Sequence, residues 1–255
     1  MDGYEIFKQK VYKKTGIDLS SYKERQMKRR IESLMQRNGF NDFDNYFNAF
    51  TNSKIFDEFI NYLTINVSEF YRNPQQWDVL EAEVFPILLK NKSNIKIWSA
   101  ACSTGEEPYS LVMLLTKFLP LNQINIIATD IDLGAINKAK VGLYTAKSVA
   151  NLPKVHIDKY FTQVSDSYKI SESIKSRVTF EQHNLLKDTY PKNCDLIICR
   201  NVMIYFTEEA KHEIYHKFHD SLVKDGILFV GSTEQIILPN RYNLAPIKTF
   251  FYKKM

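Results

Sequence analysis

The sequence predicts an α/β protein: an all-helical N-terminal part, then a mainly parallel sheet covered on both faces, with a small antiparallel insert. Three observations carry this. Apolar residues recur at helical spacing as far as about residue 76. From about Ile95, short β-branched runs alternate with helical stretches. Residues 143–180 then interrupt that alternation.

Taken in order, Tyr4, Phe7, Val11 and Tyr12 mark a first helix that Gly16 closes. Ser20 or Ser21 is expected to cap a second, which carries Met27, Ile31, Leu34 and Met35 toward Gly39. Asp42 opens a third (Phe43, Tyr46, Phe47, Phe50), and residues 55–63 begin a fourth. Four short helices of this kind suit a small bundle. Strands are expected at 95–98, 124–128, 195–199 and 226–230, with helices at 109–118, 133–140 and 208–222 between them. Residues 242–252 supply a final antiparallel pair. In the interruption, 164–170 and 177–180 read as strands, with a helix near 155–160. The expected division is a helical domain and linker at 1–76 and an α/β domain at 77–255, with the insert at about 143–180.

A chain of 255 residues holds one large domain or two small ones. Hydrophobic content of 44% and charged content of 25% are ordinary for a globular protein. A net charge of +5 does not by itself imply nucleic acid. Cys102, Cys194 and Cys199 show no CxxC spacing, which suggests free thiols in a reducing compartment. The N-terminus is polar and charged, unlike a signal peptide. No run approaches the roughly 18 apolar residues needed to cross a bilayer. A cytoplasmic protein with no direct membrane insertion is expected.

The most informative stretch is Lys96-Ile97-Trp98-Ser99-Ala100-Ala101-Cys102-Ser103-Thr104-Gly105-Glu106-Glu107-Pro108-Tyr109-Ser110. A short apolar strand runs into small residues and then into a helix start, which is how an α/β domain builds a ligand site. Two acidic residues at that entry suit the helix dipole but repel phosphate. A cofactor with hydroxyls, an amine or a sulfonium fits better, and S-adenosylmethionine has all three. Asp130 ends the second strand, where a carboxylate can accept hydrogen bonds from both ribose hydroxyls. Asp132 reads instead as a helix cap.

Asn184, after the next strand, can offer a donor and an acceptor to a base edge. Arg200, Asn201 and Tyr205 follow the fourth strand on the side that faces the crevice. Arg72, beside aromatics in the linker, could hold a carboxylate or join an interdomain salt bridge. His212-Glu213-Ile214-Tyr215-His216 matches the HExxH zinc pattern. Its histidines nevertheless fall outside the apolar arc of Ile214, Tyr215, Phe218 and Leu222, so no metal site is expected. On the basic helix at 22–37, Arg25, Lys28 and Arg29 project together and could dock an acidic helix or a phosphate backbone.

Together these motifs resemble the chemotaxis receptor methyltransferase family, CheR, through most of the chain. The family's linker signature NxTxFFR appears as Asn66-Val67-Ser68-Glu69-Phe70-Tyr71-Arg72. Its first strand and loop appear from Trp98 to Ser110. Asp130-Ile131-Asp132 and Cys199-Arg200-Asn201-Val202-Met203-Ile204-Tyr205-Phe206 complete the set. The resemblance implies a helical N-terminal domain, a Rossmann-like S-adenosylmethionine-dependent methyltransferase domain and a small inserted antiparallel β-subdomain. It implies methyl transfer to glutamate side chains on the cytoplasmic helical domain of methyl-accepting chemoreceptors, leaving S-adenosylhomocysteine. Carried over, Asn66, Ser68, Arg72, Glu107, Asp130, Asn184, Leu185, Arg200 and Asn201 would line the cofactor site. Arg72 and Tyr205 would stand nearest the reacting groups, and Arg25, Lys28 and Arg29 would dock the receptor. A monomer that binds no nucleic acid is expected.

Three departures stand out. Ser68 replaces the usual Thr and Tyr71 the usual Phe. The insert segment Gln163-Val164-Ser165-Asp166-Ser167-Tyr168 lacks glycine, which argues against tethering through a receptor's tail peptide. The reaction also fits the residues without the family. A glutamate carboxylate, with a reference pKa near 4.3, is already ionised at neutral pH and needs no general base. An amino-methylating nucleic-acid enzyme would carry a [DN]PP[YF]-like tetrapeptide where this chain has Arg-Asn-Val-Met. A nicotinamide dehydrogenase would want GxGxxG, and the first loop has a single glycine. A receptor-binding module without catalysis would not need an intact cofactor loop.

Overall fold

The computed structural model describes residues 3–90 and 92–255. Helices α1 (Gly3–Thr15), α2 (Glu24–Arg37), α3 (Phe43–Asn48) and α4 (Ser53–Thr64) form the N-terminal bundle. Its centre is Phe7, whose ring lies 5.2–6.2 Å from those of Phe43, Tyr46, Phe47, Phe50 and Phe59. Asp42 caps α3 as expected, accepting from the Asn45 amide at 2.8 Å. Ser20 and Ser21 do not cap α2. They lie in a 3-10 turn, Leu19–Ser21, that Asp18 caps, and α2 starts at Lys23 with no side-chain cap. A tertiary contact takes the cap's place: the Lys23 amide donates to the Tyr205 carbonyl at 2.9 Å.

After the linker, α5 (Pro74–Val79) and α6 (Phe85–Leu89) are joined by a π turn, Leu80–Val84. Pro86 has no amide hydrogen and its ring crowds the carbonyl one turn back. The wider turn, in which the Phe85 amide reaches the Leu80 carbonyl, absorbs that defect.

The main sheet contains β1 (Ile97–Ala100), β2 (Ile126–Asp130), β6 (Val178–Gln182), β7 (Cys194–Cys199), β8 (Leu222–Val230), β9 (Leu244–Lys248) and β10 (Phe251–Lys254). The order is β6-β2-β1-β7-β8-β10-β9. The first five are parallel, and the β9–β10 pair closes the edge antiparallel. Every residue of β1 and β7 is buried, because apolar layers cover both faces. Helices α7 (Glu106–Leu115), α8 (Leu133–Val141) and α11 (Glu208–Ser221) supply the crossovers.

The insert is a second sheet, β3 (Leu143–Thr145), β5 (Ser167–Ile170) and β4 (Phe161–Val164), in the order β3-β5-β4. It carries α9 (Lys154–Tyr160) and α10 (Glu172–Lys175). Two expectations change here. The run 164–170 is not one strand but part of a hairpin that turns at Ser165, where φ is 53°. The strand expected at 177–180 lies outside the insert: as β6 it pairs with β2, Val178 opposite Ile126. Its β-branched texture is the same in either sheet, and the choice is made by pairing with residues about 50 positions away.

Thr129 and Cys199 both lie opposite Ala100, so β2, β1 and β7 end level with one another. Strand order reverses at β1, with β2 on one side and β7 on the other. This is where an open parallel sheet leaves its crevice.

Candidate functional site

The crevice is a cavity between those strand ends and the segment that closes the helical bundle. Its floor is the loop after β1. Gly105 there has φ 92°, and a Cβ at that position would meet Ala139 Cβ at 2.8 Å and the Tyr109 ring at 3.1 Å. Backbone conformation and packing therefore both require glycine at 105. Ala101 and Ser103 also adopt left-handed φ, 64° and 48°.

Asp130 closes β2 inside this loop. One carboxylate oxygen accepts from the Ser103 amide at 2.7 Å and the other from the Asp132 amide at 2.9 Å. Burial outweighs those hydrogen bonds and pushes its pKa up to about 6. Asp132 is the N-cap of α8, accepting from the Ala135 amide at 3.1 Å. Its second oxygen accepts from Thr64 Oγ1 at 2.9 Å and Asn66 Nδ2 at 2.6 Å. Asn66 Oδ1 in turn accepts from Ser103 Oγ at 2.9 Å. One carboxylate thus ties the end of α4 to the sheet.

On the other side of β1, Arg200 follows β7 and is 6% exposed. Its Nη2 donates to the Arg72 carbonyl (2.8 Å), Gln76 Oε1 (2.8 Å) and Asn73 Oδ1 (3.1 Å). Nη1 lies 3.4 Å from Glu107 Oε2, and the guanidinium sits 4.9 Å over the Phe229 ring. Arg200 is therefore an anchor for the linker, not a free group in the crevice. Burial raises the pKa of Glu107, opposed by the Arg200 charge and a 2.8 Å hydrogen bond from Ser99.

Arg72 itself donates only Nη1, to the Val67 carbonyl at 2.9 Å, and joins no salt bridge among the described residues. Ser68, one departure from the linker signature, lines the cavity. Tyr71, the other departure from the linker signature, places its hydroxyl 3.4 Å from His156 Nε2 on α9, joining the linker to the insert.

Asn66, Ser68, Arg72, Glu107 and Asp130 all line the one cavity, as do Asn184, Leu185, Arg200, Asn201 and Tyr205. Asn184 also makes two contacts of its own. Its Oδ1 accepts from the Leu186 amide at 3.0 Å and its Nδ2 donates to the Gly16 carbonyl at 3.2 Å. Each atom carries one hydrogen bond, so one N–H and one oxygen lone pair remain beyond the turn and the helical bundle. On α2, Arg25 and Arg29 are exposed, whereas Lys28 Nζ lies 5.2 Å over the Tyr4 ring. The HExxH histidines His212 and His216 are exposed on α11, with Ile214 and Phe218 buried.

The sequence reading missed two residues. Tyr22 enters the cavity wall from the helical bundle. Glu234, 6% exposed, accepts four backbone amides: Asn201 and Gly231 on one oxygen (2.6 and 2.9 Å), Met203 and Ile204 on the other (2.6 and 3.3 Å). An acidic residue four positions after the wholly apolar end of β8 was the available signal. Tyr22 left none.

Comparison with known proteins agrees along the whole chain. Residues 66–251 match the family model described as CheR methyltransferase, SAM binding domain, and residues 2–64 match CheR methyltransferase, all-alpha domain. A chemotaxis protein methyltransferase of Listeria innocua is 42% identical over 253 residues, 98% of this chain and 97% of that protein. That of Borreliella burgdorferi is 37% identical over 259 residues, 96% of this chain and 91% of its own length. The Escherichia coli protein of the same name is 33% identical over 252 residues, 92% of this chain and 85% of its own length.

The Glu234 geometry makes a direct prediction. In Glu234→Gln the side-chain NH2 would face two amide donors, so the fold should lose on the order of 2–4 kcal/mol in urea denaturation. Proteolysis should open first at residues 201–204. A variant as stable as the parent would show that these hydrogen bonds do not hold the loop.

Proposed function

The chain belongs to the CheR methyltransferase family, and on that premise we propose that it methylates glutamate side chains on the cytoplasmic helical domain of chemoreceptors. It is an S-adenosylmethionine-dependent methyltransferase, and chemoreceptors are its substrate class. The finer assignment rests on one observation: every residue that the motifs nominate for cofactor or catalysis lines a single cavity.

The donor set suits a cationic nucleoside. Asp130 brings a buried carboxylate to the wall and Glu107 a partly buried one, and each Asp130 oxygen retains a lone pair beyond the amide it already holds. S-adenosylmethionine supplies a methyl group on a sulfonium, with a neutral thioether as leaving group. Asp130 holds the ribose diol. Asn66, Ser68 and Asn201 complete the wall, and Leu185 gives it an apolar face. Arg72, with nitrogens to spare, orients the substrate carboxylate; a single long contact leaves that nucleophile less blunted than a bidentate pair. Tyr205 covers the reacting groups and keeps water out. Exclusion of water is valuable here because an anion and a sulfonium become two neutral products, a change that low polarity favours.

Docking falls to α2, where Arg25 and Arg29 are exposed and Lys28 leans back over α1. The enzyme acts as a cytoplasmic monomer in this reading. No helix among the described residues is long and apolar enough to cross a membrane.

Methyl-labelled S-adenosylmethionine incubated with chemoreceptor-bearing membranes should leave label on receptor protein that escapes as methanol in mild alkali. Alkali-stable label would sink the glutamyl-ester assignment. With Arg25→Glu and Arg29→Glu combined, KM for receptor should rise about tenfold at low salt and less at high salt. Affinity for S-adenosylhomocysteine should not change, and an unaltered receptor KM would remove α2 from docking.

Asp130 sets a pH dependence with two opposite signs. The diol donates to the ionised carboxylate, whose population falls about tenfold between pH 7 and pH 5 for a group near 6. Calorimetric affinity for S-adenosylhomocysteine should weaken by up to about tenfold over that range. Ligand-free stability moves the other way. The folded-state value lies above the ordinary carboxyl value, so the stabilising contribution is complete in acid and is lost as pH rises through about 6. Both slopes should vanish in Asp130→Asn, and a flat binding profile in the parent would contradict the assignment.

A further inference from the structure

Tyr22 stands between the 3-10 turn Leu19–Ser21 and the first residue of α2, Glu24. Its backbone is pinned on both sides by the loop after β7. The Lys23 amide donates to the Tyr205 carbonyl and the Thr207 amide to the Ser21 carbonyl, each at 2.9 Å. Its ring packs on Phe206 with centroids 4.9 Å apart. The phenol lines the cavity with Asp130, Ile131 and Leu185 and makes no hydrogen bond among the described residues. Burial and then the Asp130 charge push its pKa upward, so the hydroxyl remains a donor at every working pH.

A bound nucleoside presents a flat aromatic face and polar edges. Asn184 already carries one hydrogen bond through each of its polar atoms, so a second side chain adds to the polar grip that its remaining N–H and lone pair can offer. Tyrosine offers an apolar face with a polar tip, and this one is held in place by two backbone hydrogen bonds that no ligand has to form.

We propose that Tyr22 grips the nucleoside part of the cofactor, its ring against the nucleoside and its hydroxyl donating to it, across the cavity from Asp130. The inference rests on reading the cavity as the cofactor site. It makes the helical bundle a direct participant in cofactor binding. Tyr22 is then a binding residue contributed by the element that also begins the docking helix.

The test uses the full chain with Tyr22→Phe, Tyr22→Leu and Asp130→Asn, and reads calorimetric affinity for S-adenosylhomocysteine. Loss of the hydroxyl in Tyr22→Phe should weaken binding about 3- to 10-fold. Loss of ring and hydroxyl in Tyr22→Leu should weaken it about 10- to 100-fold. KM for S-adenosylmethionine should rise in proportion, with kcat within about twofold and the ligand-free unfolding midpoint of Tyr22→Phe unchanged. A merely structural tyrosine would move that midpoint and leave the affinity alone. Parental affinity in both Tyr22 variants, with binding lost in Asp130→Asn, overturns the role of Tyr22 and keeps the cavity assignment. Parental affinity in all three variants overturns the cavity assignment as well.

Discussion

A guanidinium buried at the end of β7 is the constraint around which the site is assembled. A buried charge is tolerated only when it is paired and hydrogen-bonded. Arg200 meets that demand with acceptors from distant stretches of chain: the Arg72 carbonyl, Asn73 and Gln76 from the linker and α5, and Glu107 from the first turn of α7. Satisfying one cation therefore fixes the linker against the strand ends. Glu234 does the converse next door, an anion neutralised by amides that draw residues 201–204 into a fixed curve. Gly231 belongs to the same arrangement, since a Cβ there would lie 2.3 Å from Glu234 Oε2.

The cavity wall also concentrates backbone strain. Ser103 and Asn201 in the wall, and Tyr71 next to its lining residue Arg72, have left-handed φ without being glycine. Each such residue costs about 1–3 kcal/mol unless its surroundings dictate it. In all three the strained residue's own amide is claimed by a side chain: Ser110 Oγ for Tyr71, Asp130 for Ser103, Glu234 for Asn201. The polar core thus holds the wall in shape before any ligand arrives, which lowers the ordering cost of binding.

Much of this was legible in the sequence because it is local. Helical spacing located the four N-terminal helices, and the alternation of apolar runs located the parallel strands. The loop from Ser99 to Glu107, the carboxylate at Asp130 and the Arg-Asn pair after β7 announce a site because each lies at a strand end. What escaped depends on distant partners. Ser20 and Ser21 looked like caps for α2, but its start is fixed by Tyr205, far along the chain. The hydrogen bond from Asn184 to the Gly16 carbonyl joins residues 168 positions apart, so no local signal announced it. Residues 177–180 read as insert because β texture does not say which sheet a strand joins. Glu234 left no signal beyond its place after β8, since its partners are backbone amides, which carry no residue signature.

The antiparallel bridge between Tyr22 and Phe206 bears on how far this protein is modular. The helical bundle and the sheet domain look like exchangeable parts, joined by one linker. Yet the bundle donates one backbone hydrogen bond to the loop that carries Tyr205, and that loop returns one to the bundle. A chimera that grafts a foreign bundle onto this sheet would inherit a mismatched seam unless residues 205–207 travelled with the graft. The bundle and the loop at the cavity therefore have to diverge together along this seam.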